Sequence, residues 1–192
     1  MPADAKKQAG LKINLSKKGI LIGLMVFLSF EAFLLLFVAK VNKPQPPKVE
    51  QKSVGLYLEP AEGSFAVNQE FEVKVILDTG DFATDATDVR LDFDPAVLEV
   101  SKVTPGQIYD DYPAKRIDSA NGVVVINGIT SLTKTFKGRD TFATLTVKGL
   151  KKGKAVLLLE FSPGATNDSN VVATKIAKDV LSEVEGAGFE FQ

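Results

Sequence analysis

Two missing residue types limit the chemistry that this chain could perform. Its 192 residues include no histidine and no cysteine. Because Ser-His-Asp triads, Cys-His pairs and the usual zinc sites all need these side chains, those devices are excluded. Carboxylates remain, and Asp110-Asp111 is the most visible pair. Neighbours on an extended chain point to opposite sides, so this pair is poorly placed to flank one glycosidic bond. The sequence therefore predicts a protein that is not an enzyme and uses no cofactor.

Acidic and amide side chains are concentrated in two segments that could offer oxygen ligands to Ca²⁺. Residues 78–88 hold four aspartates, and residues 167–170 hold two asparagines and one aspartate. The first spacing does not match the EF-hand template. Asp and Asn are also common in turns for conformational reasons. Turn formation is the preferred interpretation, and no metal site is predicted.

Aromatic side chains on a surface would indicate sugar binding, and this chain offers few of them. It has no tryptophan and three tyrosines, of which Tyr109 and Tyr112 lie close together in a loop-like stretch. Because a tyrosine combines a flat apolar face with a polar tip, the two could form a small exposed platform. The alternative is that they pack over the edge of a sheet.

The elements that must position these residues begin at residue 54. In residues 88–93 three apolar side chains alternate with three charged ones, and residues 71–77, 143–147 and 155–161 show similar alternation. A period of two places one set toward a core and the other outward. Turn signals separate the segments. The pattern predicts eight or nine short strands in a β-sandwich over residues 54–192; only residues 171–184 also show a helical period.

A long apolar segment precedes this domain. Residues 20–39 are nearly all apolar and show no polar face, and a helix of that length rises about 30 Å, the thickness of a bilayer core. We therefore predict a transmembrane helix over residues 19–40, between a basic tail (1–18) and a proline-rich linker (41–53). A cleaved signal peptide is the alternative, but its apolar region would be shorter and would end in small residues.

Charge divides the chain into two parts. Residues 1–53 carry nine lysines and three acids, a net charge of +6, and residues 54–192 carry fourteen basic and twenty-one acidic residues, a net charge of −7. The basic part suits an anionic membrane surface, whereas the acidic domain argues against a nucleic-acid partner. Five lysines precede the apolar segment and four follow it. This slight excess favours a cytoplasmic N-terminus and an extracytoplasmic domain.

Three segments of the domain, in the right order, resemble the cohesin family. They are FDPAVLEV with the following VTPG (residues 93–106), DTFATLTVK (140–148) and GATNDSNV (164–171). The resemblance implies a nine-stranded jelly-roll sandwich, similar to immunoglobulin-like sandwiches, with no catalytic role. It also implies docking to a dockerin-like module of another protein, often in cellulosome-type assemblies at cell surfaces.

In cohesins one flat sheet face contacts the partner, and it includes the strand that leads into the FDP step. The resemblance therefore implies a partner-binding role for Asp88, Arg90 and Asp92 on that strand, and for Asn127 on the predicted neighbouring strand. Asp88 matches a family contact position best. The alternative is that these side chains only solvate the sheet.

A second function stays open at this point. The wider structural group of the family includes carbohydrate-binding modules, which implies a role in polysaccharide recognition or adhesion. Tyr109 and Tyr112 are the residues that would then contact the sugar.

Overall fold

The computed structural model describes Met25, residues 53–131 and residues 133–192. The predicted basic tail, transmembrane helix and linker fall outside these residues, apart from Met25 and Ser53. Among the described residues, none of the helices has both the length and the apolar character needed to cross a bilayer. The described residues from Ser53 onward belong to one compact unit.

The predicted all-β class is confirmed for the described part of the domain. Its thirteen strands are β1 (Val54–Glu59), β2 (Glu62–Phe65), β3 (Glu70–Asp78), β4 (Thr84–Phe93), β5 (Leu98–Pro105), β6 (Asp111–Asp118), β7 (Val123–Ile129), β8 (Arg139–Gly149), β9 (Gly153–Leu159), β10 (Asn170–Ala173), β11 (Lys178–Asp179), β12 (Leu181–Glu185) and β13 (Ala187–Phe191).

The predicted count of eight or nine strands was too low, and the helical period in residues 171–184 was misleading. That segment forms β10, β11 and part of β12, which have four, two and five residues. Alternation needs about four to eight residues to be recognised, so strands this short leave little signal in the sequence.

The strands form two sheets. Sheet A has five strands in the order β12-β1-β3-β8-β5. In sheet B, β4 pairs with β7 along one edge and with β10 and β9 along the other, and β6 extends the sheet beyond β7. Strands β13 and β2 complete sheet B beyond β9. Strand β4 is therefore central in sheet B.

The inward side chains of both sheets form one core. Leu91 of sheet B and Leu145 of sheet A are fully buried in the same cluster, and Phe93 is 8% exposed. Phe71 is half-buried and packs against this cluster. The alternation predicted for residues 71–77 fails at Ile76, which is buried because a register shift in the β3–β8 pairing follows Val75.

The FDP step after β4 is a turn stabilised by its own aspartate. The Asp94 carboxylate accepts a hydrogen bond from the Ala96 N–H at 2.8 Å, and the Asp94 carbonyl accepts one from the Leu98 N–H at 2.9 Å. The Phe93 N–H donates to the carbonyl of Gly122 at 2.8 Å, and Gly122 has a φ of 68° that favours glycine. These bonds fix the end of β4 and the start of β7.

We predict that Leu145→Ala lowers the free energy of unfolding by about 2–5 kcal/mol, because it leaves a cavity where a fully buried side chain was. Urea denaturation followed by circular dichroism measures this. Leu158→Ala is the matched control, because that leucine is 52% exposed and should lose less than about 1 kcal/mol. Equal losses in the two variants would contradict the core assignment.

Candidate functional site

The outward side chains of β4 and β7 lie side by side in the middle of sheet B. Asp88 is directly opposite Asn127, and Arg90 and Asp92 are opposite valines of β7. From Thr87 to Phe93 alternate residues of β4 are buried, so Asp88, Arg90 and Asp92 face outward. The structure therefore brings together the four residues that the resemblance implied. We call the outward side chains of β6, β7, β4 and β9 the outer face of sheet B.

Asp88 and Asn127 form a cross-strand pair on this face. The Asn127 side-chain amide donates a hydrogen bond to the Asp88 carboxylate. Such a pair holds both groups in one orientation, so they are positioned before any partner arrives.

Arg90, Asp92 and Glu160 form a second polar group, which we call the carboxyl cluster. The Arg90 side chain donates to the Glu160 carboxylate, and the backbone of the two residues is joined by a 2.9 Å hydrogen bond. One oxygen of Asp92 is enclosed and has no hydrogen-bond partner among the described residues. Sequence reasoning missed Glu160, which lies just after β9 and is far from β4 in the sequence.

The two carboxyl groups of this cluster differ in proton affinity. The pKa of Asp92 is raised to about 6, first by partial burial and then by the neighbouring Glu160. Arg90 lowers this pKa by a smaller amount. The pKa of Glu160 is lowered, first by its hydrogen bond with Asp92 and also by Arg90. As the pH falls, Asp92 therefore takes up a proton before Glu160 does.

Aliphatic side chains flank the charged strand. Val156 and Leu158 of β9 are each 52% exposed, and Ile129 at the end of β7 is 42% exposed. Leu158 lies directly opposite Asp92. Large exposed aliphatic side chains on an otherwise polar face are typical of interaction surfaces. The exposure of Val156 and Leu158 could have been predicted from the sequence, because both occupy the outward positions of the 155–161 alternation.

A shallow cleft of about 530 Å³ borders the carboxyl cluster. Asp92, Leu158 and Glu160 line one side, and the loop containing Asp168 lines the other. Asp168 accepts a hydrogen bond from the backbone N–H of Ser162, which closes this loop. The aspartate thus fills the turn role that its position predicted.

The predicted exposed platform of Tyr109 and Tyr112 is wrong. The two side chains are only 5% and 6% exposed and belong to the core. The Tyr109 hydroxyl forms hydrogen bonds with the hydroxyls of Thr84 and Thr87 at 2.9 and 2.8 Å, on the inner side of β4. Its ring packs edge-on to Phe142 at 6.0 Å. Because the hydroxyl finds buried partners, the ring can leave the surface at little cost, and burial raises the pKa of Tyr109.

The remaining acidic candidates stabilise loops. The Asp110 carboxylate accepts hydrogen bonds from the Lys134 ammonium at 2.6 Å and from the Ser131 N–H at 2.9 Å. These donors hold its pKa well below the usual range. Asp78 accepts from the Gly80 N–H at 3.0 Å, as expected for a turn. In residues 53–131 and 133–192, no group of three acidic residues is arranged to hold a metal ion.

These features define a class of protein: a two-sheet β-sandwich module whose outer sheet face mixes polar and aliphatic side chains. More particularly, residues 57–181 match the family described as "Cohesin domain". Because the match spans more than half of the chain, the chain belongs to the cohesin domain family. No curated protein matches the chain significantly.

Solved structures agree on the fold. The seventh ScaB type I cohesin from Pseudobacteroides cellulosolvens is similar with a TM-score of 0.59 and 15% identity, over 73% of this chain and 92% of the other. A cohesin–dockerin complex from Clostridium thermocellum gives 0.58 and 17%, over 77% and 99%. A non-cellulosomal cohesin from the archaeon Archaeoglobus fulgidus gives 0.54 and 10%, over 73% and 92%.

We predict that Tyr109→Phe lowers the free energy of unfolding by about 1–3 kcal/mol, because it leaves the buried hydroxyls of Thr84 and Thr87 without their common partner. Thermal and urea unfolding measure the loss. Tyr57→Phe is the control of the same type, since the hydroxyl of Tyr57 reaches only the exposed side chain of Glu183. A Tyr109→Phe variant as stable as the parent would show that the hydroxyl is not part of the core network.

Proposed function

We propose that this protein is a membrane-anchored docking module that binds a dockerin-type partner through the outer face of sheet B. The observation that carries the proposal is the composition of this face. Ordered polar groups occupy the central strand, and exposed aliphatic side chains flank it on β9 and β7. The family supplies the class of partner, and the C. thermocellum relative was solved as a complex with a dockerin.

The flanking aliphatic side chains supply the driving force for docking. Covering the exposed parts of Val156 and Leu158 removes apolar surface from water, which contributes about 25 cal/mol per Å². Leu158 lies next to Asp92 and Glu160, so an apolar contact and a polar contact can form together there. Specific interfaces likewise combine apolar contacts with oriented polar groups.

The polar pair Asp88–Asn127 supplies specificity. It sits on the two central strands, and the hydrogen bond within the pair leaves acceptor oxygens of the carboxylate free for a donor of the partner. A partner that lacks a donor here would leave these groups desolvated, which is costly. Discrimination between partners therefore depends more on this pair than on the aliphatic flanks.

Anchoring belongs to the same proposal. The apolar residues 20–39, with lysines on both sides, support a single span with the domain outside the cytoplasm. A docking module gains from such an anchor, because the partner is then held at the surface.

Polysaccharide recognition is not proposed as a second function. It required Tyr109 and Tyr112 at the surface, and both are buried.

We predict that a panel of purified type I and type II dockerin modules contains at least one that binds the full-length chain with micromolar or tighter affinity. Asp88→Lys should weaken that binding at least about thirtyfold, because it places a cation beside the partner's donor. Leu158→Asp should weaken it similarly by charging the aliphatic flank. Isothermal titration calorimetry measures both dissociation constants.

Two control variants carry the same changes outside the outer face of sheet B. Glu72→Lys changes an exposed residue of β3 in sheet A, and Leu150→Asp changes a residue of the β8–β9 turn that is 38% exposed. Both should bind as the parent does. The proposal fails if no dockerin binds, or if the control variants lose as much affinity as the outer-face variants.

We predict, for the anchor, that an external protease degrades the domain in intact cells without prior lysis. Immunoblotting with an antibody against residues 54–192 measures this. A cytoplasmic protein in the same cells serves as the control and should stay intact. Full protection of the domain would contradict the proposed orientation.

A further inference from the structure

The carboxyl cluster lies where a docked partner would cover it. Asp92 and Glu160 are brought together by β4 and the end of β9, and Arg90 forms an ion pair with Glu160. Asp92 lies between two apolar neighbours, Val123 of β7 and Leu158 of β9. A partner that covers these two side chains would therefore also cover Asp92.

We propose that docking on this face is linked to the uptake of one proton by the Asp92–Glu160 pair, so that partner affinity increases as the medium becomes acidic. This inference rests on the proposed docking function. The residues of that same face would then regulate docking.

The charges of the cluster explain why a proton is needed. With both carboxylates ionised and Arg90 positive, the cluster has a net charge of −1. A partner that covers Leu158 and Val123 also removes water from Asp92, and an uncompensated charge is costly once it is desolvated. Uptake of one proton leaves the Arg90–Glu160 ion pair and a neutral Asp92, so the covered cluster becomes neutral.

Other charged groups around Asp92 do not supply the missing compensation. On β6, Asp118 and Arg116 are opposite Val123 and Val125 and are therefore separated from Asp92 and Arg90 by the whole of β7. On β4 itself, Asp88 is engaged with Asn127. From the loop after β9, the groups that line the same cleft are Ser162, Asn167 and Asp168, of which only Asp168 is charged and it is negative.

The free domain takes up this proton in mildly acidic solution. The pKa of Asp92 is raised to about 6 by partial burial and by Glu160. A partner that buries Asp92 further raises this value again. Since the complex then holds the proton more tightly than the free protein, affinity increases as pH falls through the pKa of the complex. It levels off below about pH 6, where the free protein is also protonated.

The test uses the dockerin from the panel that binds the full-length chain, with dissociation constants measured at pH 8, 7, 6 and 5 and constant ionic strength. For one proton, the expected gain in affinity is at most about tenfold per pH unit above pH 6, followed by a plateau. Asp92→Asn imitates the neutral group, so it should bind tightly at pH 8 and lose the pH dependence. Glu72→Gln, on sheet A, should keep it. Titration of the dockerin itself is common to all variants and cancels in the comparison.

A second measurement does not depend on a partner. Carbon-13 NMR of the side-chain carboxyl groups in the full-length chain should show Asp92 titrating with a midpoint near pH 6. In Glu160→Gln the midpoint should move toward the ordinary aspartate range. If Asp92 titrates below about pH 5 in the parent, the proton linkage is wrong.

The outcomes separate the two proposals. Binding that is equally pH-dependent in the parent and in Asp92→Asn overturns the proton linkage and leaves the docking function standing. Affinity that decreases on acidification in the parent also overturns it, because the partner then supplies a cation to Asp92. Absence of binding at every pH overturns both proposals.

Discussion

The burial of alternate side chains between two sheets is the constraint on which the rest of this structure depends. Leu91 and Leu145 come from opposite sheets and are fully buried in one cluster. Once these inward positions are fixed, a period of two leaves no freedom for the residues between them, which must face outward. The charges of β4 are therefore on the outer face because their neighbours are in the core. A one-residue slip would bury three charges, which is prohibitive.

The domain's class and the outward direction of Asp88, Arg90 and Asp92 could be predicted from the sequence, because long strands carry a strong alternating signal. The choice of these residues and Asn127 as a docking face came from the family resemblance. What could not be predicted depends on contacts between distant segments. Glu160 approaches Arg90 only because β9 pairs with β4, and this pairing leaves no local mark in the sequence. Ile76 is buried by a register shift, which alternation cannot show. Tyr109 was misassigned because proximity to Tyr112 in a loop-like stretch says nothing about where a hydroxyl finds its partners.

The outer face of sheet B combines groups with different tasks. In the proposed docking, the aliphatic side chains of β9 would favour association with many apolar partners, whereas Asp88 and Asn127 would favour only a partner with a suitable donor. Under the proposed proton linkage, the carboxyl cluster would add a dependence on pH. These groups of residues lie on neighbouring strands, so a single partner element that crosses β9, β4 and β7 would contact all of them.

Tyr109 lies in the core, on the side of β4 opposite the outer face of sheet B. Its hydroxyl bridges Thr84 and Thr87 on the inner side of β4, the same strand that presents Asp88 one residue later. A strand whose inner side is held by hydrogen bonds loses little backbone freedom when a partner binds its outer side. Such preorganisation improves affinity by reducing the entropic cost of association. In the proposed docking, Tyr109 would therefore contribute by holding β4 in place rather than by touching the partner.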